Sequence, residues 1–187
     1  MAKVCDCFPE LKEITAARER RYRSDPDKPA PEGPQSYVEV KVTSIGQLNE
    51  LVEAKKSGYK FVISEPVHVG GQNCAPTPLE FLLSGAVGCY AAVFAFYAAK
   101  LGVAYDSFEA VARTNFDARG HMIVDAPASG FQKVTIAISV VSDAPEEKLR
   151  QVERLSFEGC PGISTLREPV PVETQLKVTR TPAEQAA

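Results

Sequence analysis

An excess of basic charge, the mark of a nucleic-acid or lipid-surface binder, is missing from this chain. Its 21 Lys and Arg face 24 Asp and Glu, for a formal net charge of −3, and no polybasic patch stands out. No nucleic-acid or membrane partner is expected. Histidine is scarce as well, since His68 and His121 are its only two copies and stand far apart. Cys5 and Cys7 flank Asp6 as two soft ligands, but zinc takes four and no partner pair of suitable spacing follows. No metal site is expected. The opening MAKVCDCFPELKE lacks the apolar core of a secretion signal, so the expected compartment is the reducing cytoplasm. Five cysteines there argue for free or reactive thiols rather than a disulfide framework.

Charge is absent again between positions 81 and 99, and this gap organises the rest of the chain. Thr77 is placed to cap a helix, Pro78 suits its first position, and Glu80 falls at the third position to close a capping box. Gly102, after Leu101, stops the helix. A helix apolar all round is a buried one. A membrane span, which takes about 20 such residues, is the rival reading. It fails because the run is rich in Ala and Gly, is alone, and sits among strand-like segments. Ser84, Gly85 and Gly88 allow another backbone to approach closely, so the helix is expected between sheets or against its twin in a dimer. Cys89 lies mid-helix, where a rigidly held thiol suits either inert packing or controlled sulfur chemistry.

A chain of 187 residues fits one domain, which buries roughly 70% of its unfolded surface. Residues 1–35 read as an N-terminal arm. Leu11, Ile14 and Ala17 recur at helical spacing opposite Arg18, Arg20, Arg21 and Arg23, and prolines at 26, 29, 31 and 34 then form an extended tether. Residues 36–180 form the main domain and 181–187 a frayed tail. Strands are expected at 36–43, 47–54 and 59–64 before the helix, and at 105–117 and 130–142 after it. The loop 118–129 folds over something. Asp143 and Glu146 repeat the capping pattern ahead of a helix with Leu149, Val152 and Leu155 on one face, ending at Gly159. Cys160, Pro161 and Gly162 make a turn, 163–167 a short helix, and 170–179 a closing strand. Elements grouped in runs indicate an α+β fold.

Gly70 and Gly71, then Thr77, Pro78, Leu79 and Glu80, then Gly88 and Cys89, with Cys160 and Pro161 downstream, resemble the OsmC/Ohr family in its OsmC-like branch. These are the osmotically inducible and organic-hydroperoxide-resistance proteins of stress response. The likeness spans about 36–179 in element order. It implies antiparallel sheets around a long buried central helix, in an intertwined homodimer with active sites at the subunit interface. It also implies antioxidant chemistry: thiol-dependent reduction of organic hydroperoxides, with electrons from dithiols such as lipoylated proteins and without cofactor.

Carried onto this chain, the resemblance makes Cys89 the peroxidatic thiol and Cys160 the resolving one. The chemistry agrees, because a sulfenic acid on a sheltered sulfur is trapped as a disulfide by a thiol on a mobile turn. Phe81, Tyr90, Phe94 and Tyr97 would suit a bulky organic peroxide. Two positions depart from the family. Leu79 stands where the hydroperoxidases carry a carboxylate, and no arginine occurs from 36 to 88 to meet it. Glu80, one place later, is explained by capping. Another group must then tune the sulfur, with His68 the nearest candidate and Arg21 or Arg23 of the arm as alternatives. Cys74 is read as a bystander. Two other functions follow from the same residues: an OsmC-like binding protein for a lipid-like small molecule with little peroxidase activity, and a redox sensor acting on the arm.

Overall fold

The computed structural model describes residues 8–28, 36–122 and 129–179. Its axis is helix α2 (Pro78–Leu101), about 36 Å long. The Oγ1 of Thr77 accepts from the Glu80 amide at 3.3 Å, and Glu80 Oε2 accepts from the Thr77 amide at 2.8 Å. At the other end Gly102 takes a left-handed conformation (φ 67°), and its N–H reaches the carbonyls of Ala98 and Ala99. Both ends are therefore satisfied by the residues the sequence places there.

Before α2 come helix α1 (Phe8–Ser24) and an antiparallel sheet of β1 (Val40–Gly46), β2 (Asn49–Ala54) and β3 (Lys60–Ser64). Val42, Val52 and Phe61 stand in register across it. The β1–β2 turn puts Gln47 and Leu48 at φ 52° and 54°, a left-handed pair that side chains occupy only at some cost. After α2, β4 (Ser107–Asn115) and β5 (Lys133–Val141) form a two-stranded hairpin in which half-buried and exposed residues alternate. Helices α3 (Glu146–Gly159) and α4 (Pro161–Arg167) complete the fold. Helices α1, α3 and α4 and strands β3 and β4 all pack against α2.

Phe94, Ala98, Ala99, Val103, Tyr105 and Val152 make the larger core cluster. Phe94 meets Tyr105 edge-on at 5.6 Å and Phe108 at 4.8 Å. Helix α1 joins this core through Leu11, and Thr15 is buried beneath it. Of the tether read at 25–34 only residues 25–28 are described, and the cysteines of the arm, Cys5 and Cys7, lie outside the described residues.

Four expectations need correction. Pro161 and Gly162, expected in a turn, instead open helix α4, because proline suits a helix's first position. Strand β1 begins at Val40 rather than at 36. Helix α3 begins at Glu146 with Pro145 before it and no side-chain cap, so Asp143 is not the cap. The reason is Pro145, which disfavours helical geometry at Ala144 and pushes the helix start past itself. Ser142 does the local work instead, accepting from the Ala144 amide at 2.9 Å and donating to the Ala104 carbonyl at 2.6 Å. The segment 170–179 forms no strand; Val172 is 84% and Leu176 90% exposed. A strand needs a neighbouring edge to take its hydrogen bonds, and this segment is paired with none of the sheet strands.

Candidate functional site

Cys89 is half-buried on α2, and Cys160 is the residue between α3 and α4. The two come together because the first turn of α4 lies directly on α2. A Cβ at Gly162 would sit 3.0 Å from the Ala86 backbone and 3.1 Å from the Cys89 Cβ. A side chain there would force the two helices apart by a few tenths of an ångström. Cys160, Tyr90 and Ile163 form a buried cluster against which Cys89, Val93, Phe108, Ile136 and Ile138 pack. Cys160 itself is 0% exposed.

Burial pushes the Cys160 thiol up. The neighbouring Cys89 thiol adds to this as hydrogen-bonding partner and as charge, while the amides of Ile163 and Gly162 pull the other way. At neutral pH Cys160 is therefore held as a thiol. Burial likewise raises the Tyr90 hydroxyl, helped by the charges of Glu153 and Cys160, and that hydroxyl donates to the Glu153 carbonyl at 3.5 Å. Two adjacent thiols in an apolar surround can exchange with a disulfide while excluding water.

Other residues singled out from the sequence lie elsewhere. Phe81 stacks on Phe61 at 4.8 Å. Glu80 is engaged in the α2 cap, and the hydrogen bonds from Thr77 hold its carboxyl below the usual range. His68 and Glu80 both line a large cavity of about 1230 Å³ in which neither cysteine takes part. On α1, Arg23 is bonded to Glu19 and Arg21 lies over the Tyr22 ring. Cys74 is exposed and belongs to a polar network. Its thiol reaches Asn49 Oδ1 at 3.5 Å, the same oxygen that accepts from the Ser64 hydroxyl at 2.6 Å. Among the described residues, no three of His, Cys, Asp and Glu are grouped so as to hold a metal ion.

Leu79, where the resemblance would place a carboxylate, lines the large cavity. It does so together with Leu48 from the β1–β2 turn. Arg113, Phe116, Ala118, His121 and Met122 line it too, the last three from the loop expected to fold over something. A smaller cavity of about 320 Å³ runs behind Tyr90 and Ile163, with Lys133, Glu153 and Arg167 among its lining. Sequence reasoning missed Arg113, Leu48 and Gly162. Arg113 reads as one more exposed position of an alternating strand, and a close approach to another element leaves no mark in the sequence.

A family model described as OsmC-like protein matches residues 70–175. No curated protein matches this chain. Among solved structures, an OsmC-like protein of Mycoplasma pneumoniae is similar at TM-score 0.60 and 14% identity, covering 70% of this chain and 87% of its own. An OsmC-like protein of unknown function from Vibrio cholerae is similar at TM-score 0.59 and 18% identity, covering 70% and 94%. An organic hydroperoxide resistance protein OsmC of Legionella pneumophila is similar at TM-score 0.53 and 18% identity, covering 70% and 89%. At these identities the likenesses establish the shared fold.

Proposed function

This chain belongs to the OsmC-like protein family, and on that premise we propose that it is a thiol-dependent peroxidase acting on organic hydroperoxides. The observation that carries the reading is the apposition of Cys89 and Cys160 in one apolar cluster. The name of the Legionella relative, an organic hydroperoxide resistance protein, points the same way.

In this reading the Cys89 thiolate attacks the distal oxygen of ROOH. The O–O bond breaks, ROH leaves after taking a proton, and Cys89 becomes a sulfenic acid. Cys160, kept protonated until needed, gives up its proton as its sulfur displaces hydroxide from Cys89. A disulfide and water result. An external dithiol reduces that disulfide by two exchange steps and is itself oxidised. The active unit is a homodimer in the cytoplasm, with Tyr90 shaping the apolar surround of the sulfurs. His68 and Glu80 belong to the large cavity and not to the thiol pair.

A second reading, a small-molecule binding protein with little peroxidase activity, is favoured by the large cavity and by the leucines at 48 and 79. One experiment separates them. Reduced protein is treated with cumene hydroperoxide, peroxide loss is followed, and disulfides are mapped by mass spectrometry. The peroxidase reading expects stoichiometric formation of a Cys89–Cys160 bond, abolished by Cys89→Ser. An unmodified Cys89 with peroxide undiminished sinks it.

A further inference from the structure

Cys160 is fixed from both sides. Before it, Gly159 lies against the Tyr97 hydroxyl of α2, which would stand 2.6 Å from a Cβ at that position. After it, Gly162 lies against Ala86 and Cys89 of the same helix, and the Cys160 carbonyl accepts from the Ser164 amide at 2.9 Å. Between these contacts Cys160 is 0% exposed, enclosed with Tyr90 and Ile163. The resolving thiol, expected on a mobile turn, is a pinned one. Its neighbour Cys89 is only half-buried. A second copy of the chain can add cover to Cys160 and takes none away. Cys89 has to be open to the peroxide in the functional dimer for the proposed reaction to run, and the route that admits a peroxide admits a thiol.

We propose that the reducing thiol attacks the sulfur of Cys89 and not that of Cys160, so that the mixed disulfide forms on Cys89 and Cys160 is the leaving group. The inference rests on the peroxidase reading for the origin of the disulfide and gives its two sulfurs unequal parts in the reduction. In the first exchange a thiolate of the external dithiol bonds to Cys89 Sγ. The Cys89–Cys160 bond breaks, and Cys160 leaves with the bonding pair and takes up a proton. In the second, the other thiol of the dithiol gives up its proton and attacks the sulfur bound to Cys89. The dithiol departs as a cyclic disulfide, and Cys89 remains as the thiolate that meets the next peroxide. Basicity opposes this order, since burial raises the Cys160 thiol and a more basic thiolate leaves more slowly. That handicap is graded, about threefold for each decade of basicity, and the Gly162 and Ile163 amides that bond the sulfur lessen it. A sulfur with no exposed surface is attacked only when the helices part, so access outweighs basicity.

The test uses the full chain oxidised with diamide, which joins apposed thiols whether or not the protein turns over peroxide. The oxidised protein is exposed to 2-mercaptoethanol, a monothiol whose adduct cannot cyclise away, and the reaction is stopped in acid. Peptic digestion and mass spectrometry then locate the adduct. In the folded protein it is expected on Cys89 at least about tenfold more than on Cys160, and in urea about equally on both. Ile163→Ala, which thins the cover over Cys160, should raise the Cys160 share several-fold. No Cys89–Cys160 bond after diamide, no adduct on Cys89, the same ratio folded and unfolded, or an Ile163→Ala ratio that stays unchanged overturns the proposal. Selective attack on Cys89 in the diamide-oxidised protein, with cumene hydroperoxide left undiminished by the reduced one, sinks the peroxidase reading alone and leaves the exchange order standing.

Discussion

At the scale of single residues, Cys160 is the member of the thiol pair that burial keeps protonated. Its folded pKa is raised by burial and by Cys89, so the folded chain holds that proton more tightly than the unfolded one. The stabilisation is complete below the unfolded cysteine value of about 8.5 and is lost as pH climbs towards the folded value, by at most about 1.4 kcal/mol per pH unit. Urea unfolding of the reduced protein between pH 7 and 9.5 should show this decline, and Cys160→Ser should flatten it. Gly162 makes the second residue-scale prediction. An alanine there meets Ala86 backbone at 3.0 Å, which cannot swing aside, so Gly162→Ala should cost roughly 1–3 kcal/mol and slow disulfide formation under cumene hydroperoxide. Gly159→Ala meets instead the Tyr97 hydroxyl, the far end of a side chain, and should cost less.

At the scale of elements, α2 owes its N-terminus to a reciprocal cap. Thr77→Ala removes the oxygen that accepts from the Glu80 amide and should lower stability by about 1 kcal/mol. Glu80, whose pKa is depressed chiefly by the Thr77 amide, stabilises the fold above its unfolded value and ceases to as pH falls through its folded one. An acid unfolding curve of Glu80→Gln should therefore be shallower in that window. Helix α1 is held by different means. Lys100 reaches Glu19 at 3.1 Å in the open, a contact that weighs little, while Leu11 enters the main core. Leu11→Ala should destabilise by roughly 1–3 kcal/mol, and Lys100→Ala should barely register in the same denaturation assay.

At the scale of the molecule, the single chain leaves apolar surface uncovered. Leu82 of α2 is 53% exposed, beside the open Ser84, Gly85, Gly88 and Ala92, and Val42 of β1 and Leu176 of the C-terminal segment are open too. By length and composition α2 would also pass for a membrane span, with 22% of its most apolar window buried. Its packing against three helices and two strands gives it instead the position of a core helix. We expect a second copy to cover the open face, because small residues there permit close helix contact. Light scattering should then report about twice the 20.2 kDa chain mass, and Gly88→Arg should return it to the single mass.

What the sequence determined by itself was everything local. The cap at Thr77, the stop at Gly102 and the alternation of β4 and β5 depend on neighbours a few residues away, and each stands where the residues point. The motifs around Cys89 and Cys160 were enough to indicate the family. Tertiary structure decided the rest, because contacts between distant segments have no local signature. It set α4 against α2 through Gly162, brought Leu48, Leu79 and Arg113 to one cavity, and left 170–179 unpaired. The start of α3 falls between the two. Pro145 announced it, and the capping pattern at Asp143 was the weaker signal, since a proline's backbone geometry outweighs one side-chain hydrogen bond.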